Sequence, residues 1–154
     1  MKKKLIQAYM QTAKIFAELS HARRLHVGAI VVKDDRIISI GYNGMPAGWD
    51  NNCEYDDMGF SDAVFGEPQT VINRGLKTRP EVLHAESNAI SKLARSSESG
   101  DGATMFITHA PCMECSKLIY QSGIKKVYFG QAYRDNAGVE FLNKCKVTVE
   151  QIDV

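Results

Sequence analysis

The pairing of His84-Ala85-Glu86 with a later Pro111-Cys112-Met113-Glu114-Cys115 constrains this chain more than any other feature. A fold that uses both must bring one imidazole and two thiols to a point. Those groups fill three of the four positions of a tetrahedral zinc ion, and three protein ligands with one open position is the arrangement of catalytic rather than structural zinc. The open position admits water, and Glu86 stands two residues past His84, placed to take its proton. Cys112 and Cys115 are spaced i, i+3, so on a helix they share one face at roughly 5–6 Å. Pro111 is expected in the first turn of that helix, where free N–H groups and the positive dipole end favour thiolate. His84 and Glu86 would face apart in mid-helix, so His84 is expected at the non-helical cap with Glu86 just inside.

The same residues admit other readings. C-x-x-C beside a strand and a helix can be a redox pair, and Cys53 could complete a closed Cys3His structural site. A zinc module that only binds partners has no need of a glutamate beside an open metal position, so Glu86 separates enzyme from binding module. Cys53 and Cys145 read as buried thiols. His21 and His26 read as ordinary polar histidines, whereas His109, three residues before Cys112, has a positional reason to line the site.

A chain of 154 residues suits one domain, 1–154, with a substantial core. Its formal charge is +1, and its Lys and Arg are scattered apart from Lys2-Lys3-Lys4, which reads as a solvated helix start. Neither a nucleic acid nor a membrane is therefore expected as a partner. The N-terminus carries no apolar run suited to a signal peptide or a span, so a cytoplasmic place is expected. There, four cysteines argue for metal or thiol chemistry over disulfides.

Residues 4 to 20 predict an amphipathic helix on Leu5, Tyr9, Ala13, Phe16 and Ala17. Residues 27 to 32 and 37 to 42 predict a hairpin of buried strands across Lys33-Asp34-Asp35-Arg36, of unassigned turn type. Gly41-Tyr42-Asn43-Gly44-Met45-Pro46-Ala47-Gly48 predicts a shaped loop. From 49 to 80 the chain loses periodicity and reads as irregular. A helix follows from His84 to about Arg95, with Ala85, Ala89, Ile90, Leu93 and Ala94 as its stripe. Then come a strand over 105–108, a helix from Pro111 to near Gly123 carrying Leu118 and Ile119 inward, a strand over 127–130, a helix over 136–144 and a strand over 147–152. This alternation predicts an α/β fold with parallel crossovers.

H-x-E followed by P-C-x-x-C is the pattern of zinc-dependent nucleobase deaminases. With Val27-Gly28-Ala29, the 41–48 loop, His84 to Ile90, Pro111 to Cys115 and Gln121 to Lys125, the chain resembles the deoxycytidylate (dCMP) deaminase family over nearly its whole length. Its compact form looks like that of the phage or bacterial members. The resemblance implies a three-layer α/β/α fold with a five-stranded mixed sheet and conversion of dCMP to dUMP and ammonia, feeding thymidylate synthesis. It also implies a homo-hexamer in the cytoplasm (the host's, for a phage gene), activated by dCTP and inhibited by dTTP with Mg²⁺. By position it makes His84, Cys112 and Cys115 the ligands of one Zn²⁺ per chain and Glu86 the proton shuttle. Arg24, Tyr42, Asn43, Gly44, His109, Tyr133 and Arg134 are its candidates for substrate or effector contacts. Some relatives hold a second zinc with cysteines where Ala22 and Asn52 stand here, so one zinc is expected. Arg23, Arg24, Arg74, Arg79, His109 and Arg134 are all eligible for the phosphate. A tRNA adenosine deaminase of the same fold is the rival, disfavoured by the charge balance.

Overall fold

The computed structural model describes residues 1–153. It contains α1 (Lys3–Ala17), β1 (Gly28–Lys33), β2 (Arg36–Tyr42), β3 (Glu54–Phe60), β4 (Val71–Thr78) and α2 (Ala85–Ala94). There follow β5 (Thr104–His109), α3 (Met113–Gln121), β6 (Lys126–Gln131), α4 (Ala137–Lys144) and β7 (Thr148–Gln151). Five strands form one mixed sheet in the order β2-β1-β5-β6-β7. β1 runs antiparallel to both neighbours, and β5, β6 and β7 run parallel through the helical crossovers α3 and α4.

The strands read as continuous apolar runs because both faces are covered. Ala29, Val31, Met105, Ile107 and Val127 meet Ala85, Ala89 and Leu93 of α2, Ile119 of α3 and Leu142 of α4. The alternate residues Ile30, Val32, Phe106 and Tyr128 meet Met10 and Ala13 of α1 on the other face. Two glycines set the helix-to-sheet distance. A Cβ on Gly28 would strike the Ala13 carbonyl oxygen, and one on Gly41 the Ala85 carbonyl oxygen.

The β1–β2 turn places Asp34 and Asp35 at φ 51° and 56°. Two successive positive φ values define a type I′ turn, whose twist matches the strands, and aspartate tolerates that region without glycine. In α1 the buried stripe is Met10, Ala13 and Ala17, whereas Leu5, Tyr9 and Phe16 are half-buried. Ala94 and Leu118, expected inside, are exposed.

The irregular reading of 49–80 is overturned by β3 and β4, which form a separate two-stranded antiparallel ribbon. Its apolar side chains Met58, Phe60 and Val71 are all more than half exposed. A ribbon that buries neither face has no alternation to display, and a bulge with Gly75 at φ 100° breaks its register. No helix among the described residues is long and apolar enough to cross a membrane.

Candidate active site

His84 is the N-cap of α2, with extended dihedrals (φ −75°, ψ 153°), and Glu86 lies in the first turn. Cys112 is likewise the N-cap of α3 (φ −72°, ψ 170°), with Cys115 in its first turn. Pro111 therefore precedes the cap and does not enter the helix. Two strand-like contacts fix these starts. Leu83 N–H donates to the Gly44 carbonyl at 2.8 Å and Gly44 N–H to the Leu83 carbonyl at 3.1 Å, while Ala110 N–H donates to the Gln131 carbonyl at 2.8 Å.

The donor atoms of His84, Cys112 and Cys115 all lie within 4.8 Å of one another. His84 Nδ1 stands 3.6 Å from Cys112 Sγ and 3.4 Å from Cys115 Sγ. Bonds of ~2.0 Å to nitrogen and ~2.3 Å to sulfur at a tetrahedral angle require about 3.6 Å between the donors, so the three residues fit a zinc ion. Hydrogen bonds from Cys115 and His84 pull the Cys112 thiol down to about 4. Its bond to Cys112, together with burial, pushes Cys115 up. The bond to Cys112 also raises His84. Glu86 is buried, and that burial raises its carboxyl from 4.5 to about 7, against the opposing pull of its own backbone N–H and of His84.

These groups open into a cleft of about 420 Å³, within the range of small-ligand sites. Arg24, Asn43, His109, Tyr133 and Arg134 line it together with His84, Glu86 and Cys112, whereas Tyr42 and Gly44 do not. Tyr42 offers its carbonyl to Asn88 Nδ2 at 2.8 Å, tying the loop to α2. Gly44 acts through the Leu83 pairing that seats His84. Asn43 braces the wall, since its Oδ1 accepts from Val27 N–H and its Nδ2 donates to the Leu25 carbonyl, both at 2.8 Å.

The eligible cations separate. Arg24, Arg134 and His109 face the cleft. Arg23 pairs with Glu54. Arg74 lies over Gly59 and donates to the Phe60 carbonyl, and Arg79 lies outside the cleft lining with its Nε buried. Cys53 is buried in a small apolar cluster with Ala22 and Val82 and is not among the metal-donor group. Cys145 packs half-buried against the larger core.

Sequence reasoning passed over Glu54 in the wall and Thr108 behind it. Glu54, the buried first residue of β3, lines the cleft and accepts from the backbone of Arg23 and Arg24. Thr108 Oγ1 accepts from Gly28 N–H at 3.1 Å and bonds His109 Nδ1 at 2.9 Å. Burial lowers the His109 ring, which favours its neutral form.

Comparison with known proteins agrees with this site. Residues 3–131 match the family described as the cytidine and deoxycytidylate deaminase zinc-binding region. A dCMP deaminase of the cyanophage S-TIM5, solved with dCMP and dUMP, superposes with a TM-score of 0.85 at 44% identity, covering 99% of both chains. The deoxycytidylate deaminase of phage T4 is 32% identical over 94% of this chain and 92% of its own length. The human deoxycytidylate deaminase is 35% identical over 94% and 84%.

Proposed function

The chain belongs to the cytidine and deoxycytidylate deaminase family, and from that premise we propose that it hydrolyses dCMP to dUMP and ammonia. The observation that carries this reading is a buried Glu86 two residues past His84, beside a His84, Cys112 and Cys115 group of zinc spacing, lining a cleft with two arginines. His84, Cys112 and Cys115 would hold one Zn²⁺, which supplies a Lewis acid that makes water acidic near neutral pH. Glu86, a buried carboxylate beside that group, accepts the proton of the attacking water. It delivers that proton to the ring nitrogen as the water oxygen bonds the amine-bearing carbon, then carries the proton of the new hydroxyl to the amine, so that the C–N bond breaks, ammonia leaves and a carbonyl remains. Asn43 keeps the wall in place. Arg24, His109 and Arg134 offer donors to the phosphate, and Tyr133 closes the same wall.

The finer reading rests on the resemblance. Residues 1–154 act as one catalytic domain in a cytoplasmic homo-hexamer, activated by dCTP and inhibited by dTTP, with Mg²⁺ carried by the triphosphate. The presence of Tyr133 and Arg134 on the cleft wall is what supports a link between effector and site.

Ammonia release from zinc-loaded protein tests both levels. dCMP is expected to turn over, ahead of CMP and deoxycytidine, with dCTP raising and dTTP lowering the rate. Metal analysis is expected to give one zinc per chain. Turnover of a tRNA with silence on every mononucleotide would keep the proton chemistry and overturn the substrate.

A further inference from the structure

Part of the cleft wall is a stretch without helix or strand, residues 18–27, which contributes Ala22, Arg24, Leu25 and Val27. Asn43 holds its end at Leu25 and Val27, and what fixes its backbone at Arg23 and Arg24 is a carboxylate. Glu54 is 1% exposed. Its Oε1 accepts from two successive N–H groups, Arg23 at 2.8 Å and Arg24 at 3.1 Å. Its Oε2 faces Arg23 Nε at 3.4 Å. Arg23 reaches further, donating through Nη2 to Asn52 Oδ1 at 3.0 Å. Arg24 turns its guanidinium the other way and donates through Nη1 to Thr78 Oγ1 at 3.0 Å.

A neutral acceptor could anchor a loop at less desolvation cost than a buried carboxylate. The charge makes sense where the clamp must be stiff, because charge-assisted hydrogen bonds are shorter and stronger than neutral ones. The two arginines divide the work. Arg23 compensates the buried charge, and Arg24, with one of its five donors on Thr78, keeps a fork for a ligand in the cleft.

Resting on the dCMP reading, we propose that Glu54 is a positioning residue, holding the backbone at Arg23 and Arg24 so that the Arg24 guanidinium stands ready for the nucleotide phosphate. The clamp acts on binding and through Arg24 alone. Three consequences follow for dCMP kinetics of the zinc-loaded enzyme. Glu54→Ala raises KM about 10- to 100-fold, the effect of misplacing one charge-assisted contact, and leaves kcat little changed. In an Arg24→Ala background the same change adds less than about threefold, because its target is gone. Glu54→Gln, which keeps an acceptor oxygen but loses the charge, recovers only part of the KM.

Should Glu54→Ala fail to fold, Glu54→Asp keeps the charge but ends one methylene short of the two N–H groups, and the same KM rise is expected. An unchanged KM, a loss confined to kcat, or a loss that adds in full to Arg24→Ala overturns the assignment while wild type still turns over dCMP. A wild type inactive on dCMP overturns the functional reading along with it.

Discussion

One part of the cleft wall is built from helix starts, and another from a loop and a ribbon end. His84 and Cys112 cap helices whose following residues Ala85, Ala89 and Ile119 are fully buried against the sheet. Arg24 and Thr78 sit where the 18–27 stretch meets the base of β3 and β4, joined by Glu54 and by polar contacts more than by burial. The contrast separates two tasks. Reacting groups need angular precision of the kind that packed elements supply, whereas a charged, part-solvated ligand end needs donors within reach, which a clamped loop can offer.

The sharpest way to break this division is at Glu86. Glu86→Gln keeps the shape of the packed wall and removes its proton carrier, so kcat on dCMP is expected to fall about 10²- to 10⁴-fold. Zinc content should stay at the wild-type value, because Glu86 lies outside the donor group. Turnover at the wild-type rate, read by ammonia release, would detach the reaction from this wall. The next largest effect is on the sheet behind it. Phe106 is fully buried and stacks at 5.0 Å on Tyr128 with Tyr9 at 5.3 Å. Phe106→Ala should cost about 3–5 kcal/mol in urea unfolding.

A pH experiment sharpens the same wall. In protein stripped of metal by a chelator, the Glu86 carboxyl is raised from 4.5 to about 7 by burial. A raised folded value favours the protonated native state. Its contribution is therefore fully present below about pH 4.5 and lost as pH climbs through 7, an effect of about 3 kcal/mol. Comparing unfolding midpoints at pH 5 and pH 8 should show wild type losing that much more than Glu86→Gln. Parallel losses in the two proteins would mean that the carboxylate is not desolvated in the native state.

How much of each region was legible follows from what its residues bury and bond. His84, Glu86, Cys112 and Cys115 carry a spacing that suits a shared metal and a cap geometry, and the helices behind them repeat at a period that survives in sequence. The sheet strands announce themselves as β-branched runs, because both faces are covered. Glu54 leaves no such trace. Its partners are backbone N–H groups 31 and 30 residues away, and any residue but proline offers one of those. The resemblance makes Gly44 a candidate ligand contact, and the structure adds that its carbonyl and N–H seat His84 through Leu83. A glycine-rich loop signals backbone shape without saying which backbone it meets.

The ribbon that escaped sequence reading gives the smallest expected effect and the clearest control. Phe65 at its tip is fully exposed, and the tip is held by its own contacts, Ser61 N–H to the Thr70 carbonyl at 2.8 Å and Thr70 N–H to Ser61 Oγ at 2.9 Å. A side chain that buries nothing has nothing to lose, so Phe65→Ser should leave stability within about 0.5 kcal/mol and KM for dCMP unchanged. Two-stranded ribbons are marginal when isolated in water, which gives the measurement its second edge. A loss above about 1 kcal/mol that shrinks on dilution would mean that a second copy covers Phe65 in solution. The ribbon would then join the packed regions, and the line between the two kinds of wall would run through Glu54 instead of around it.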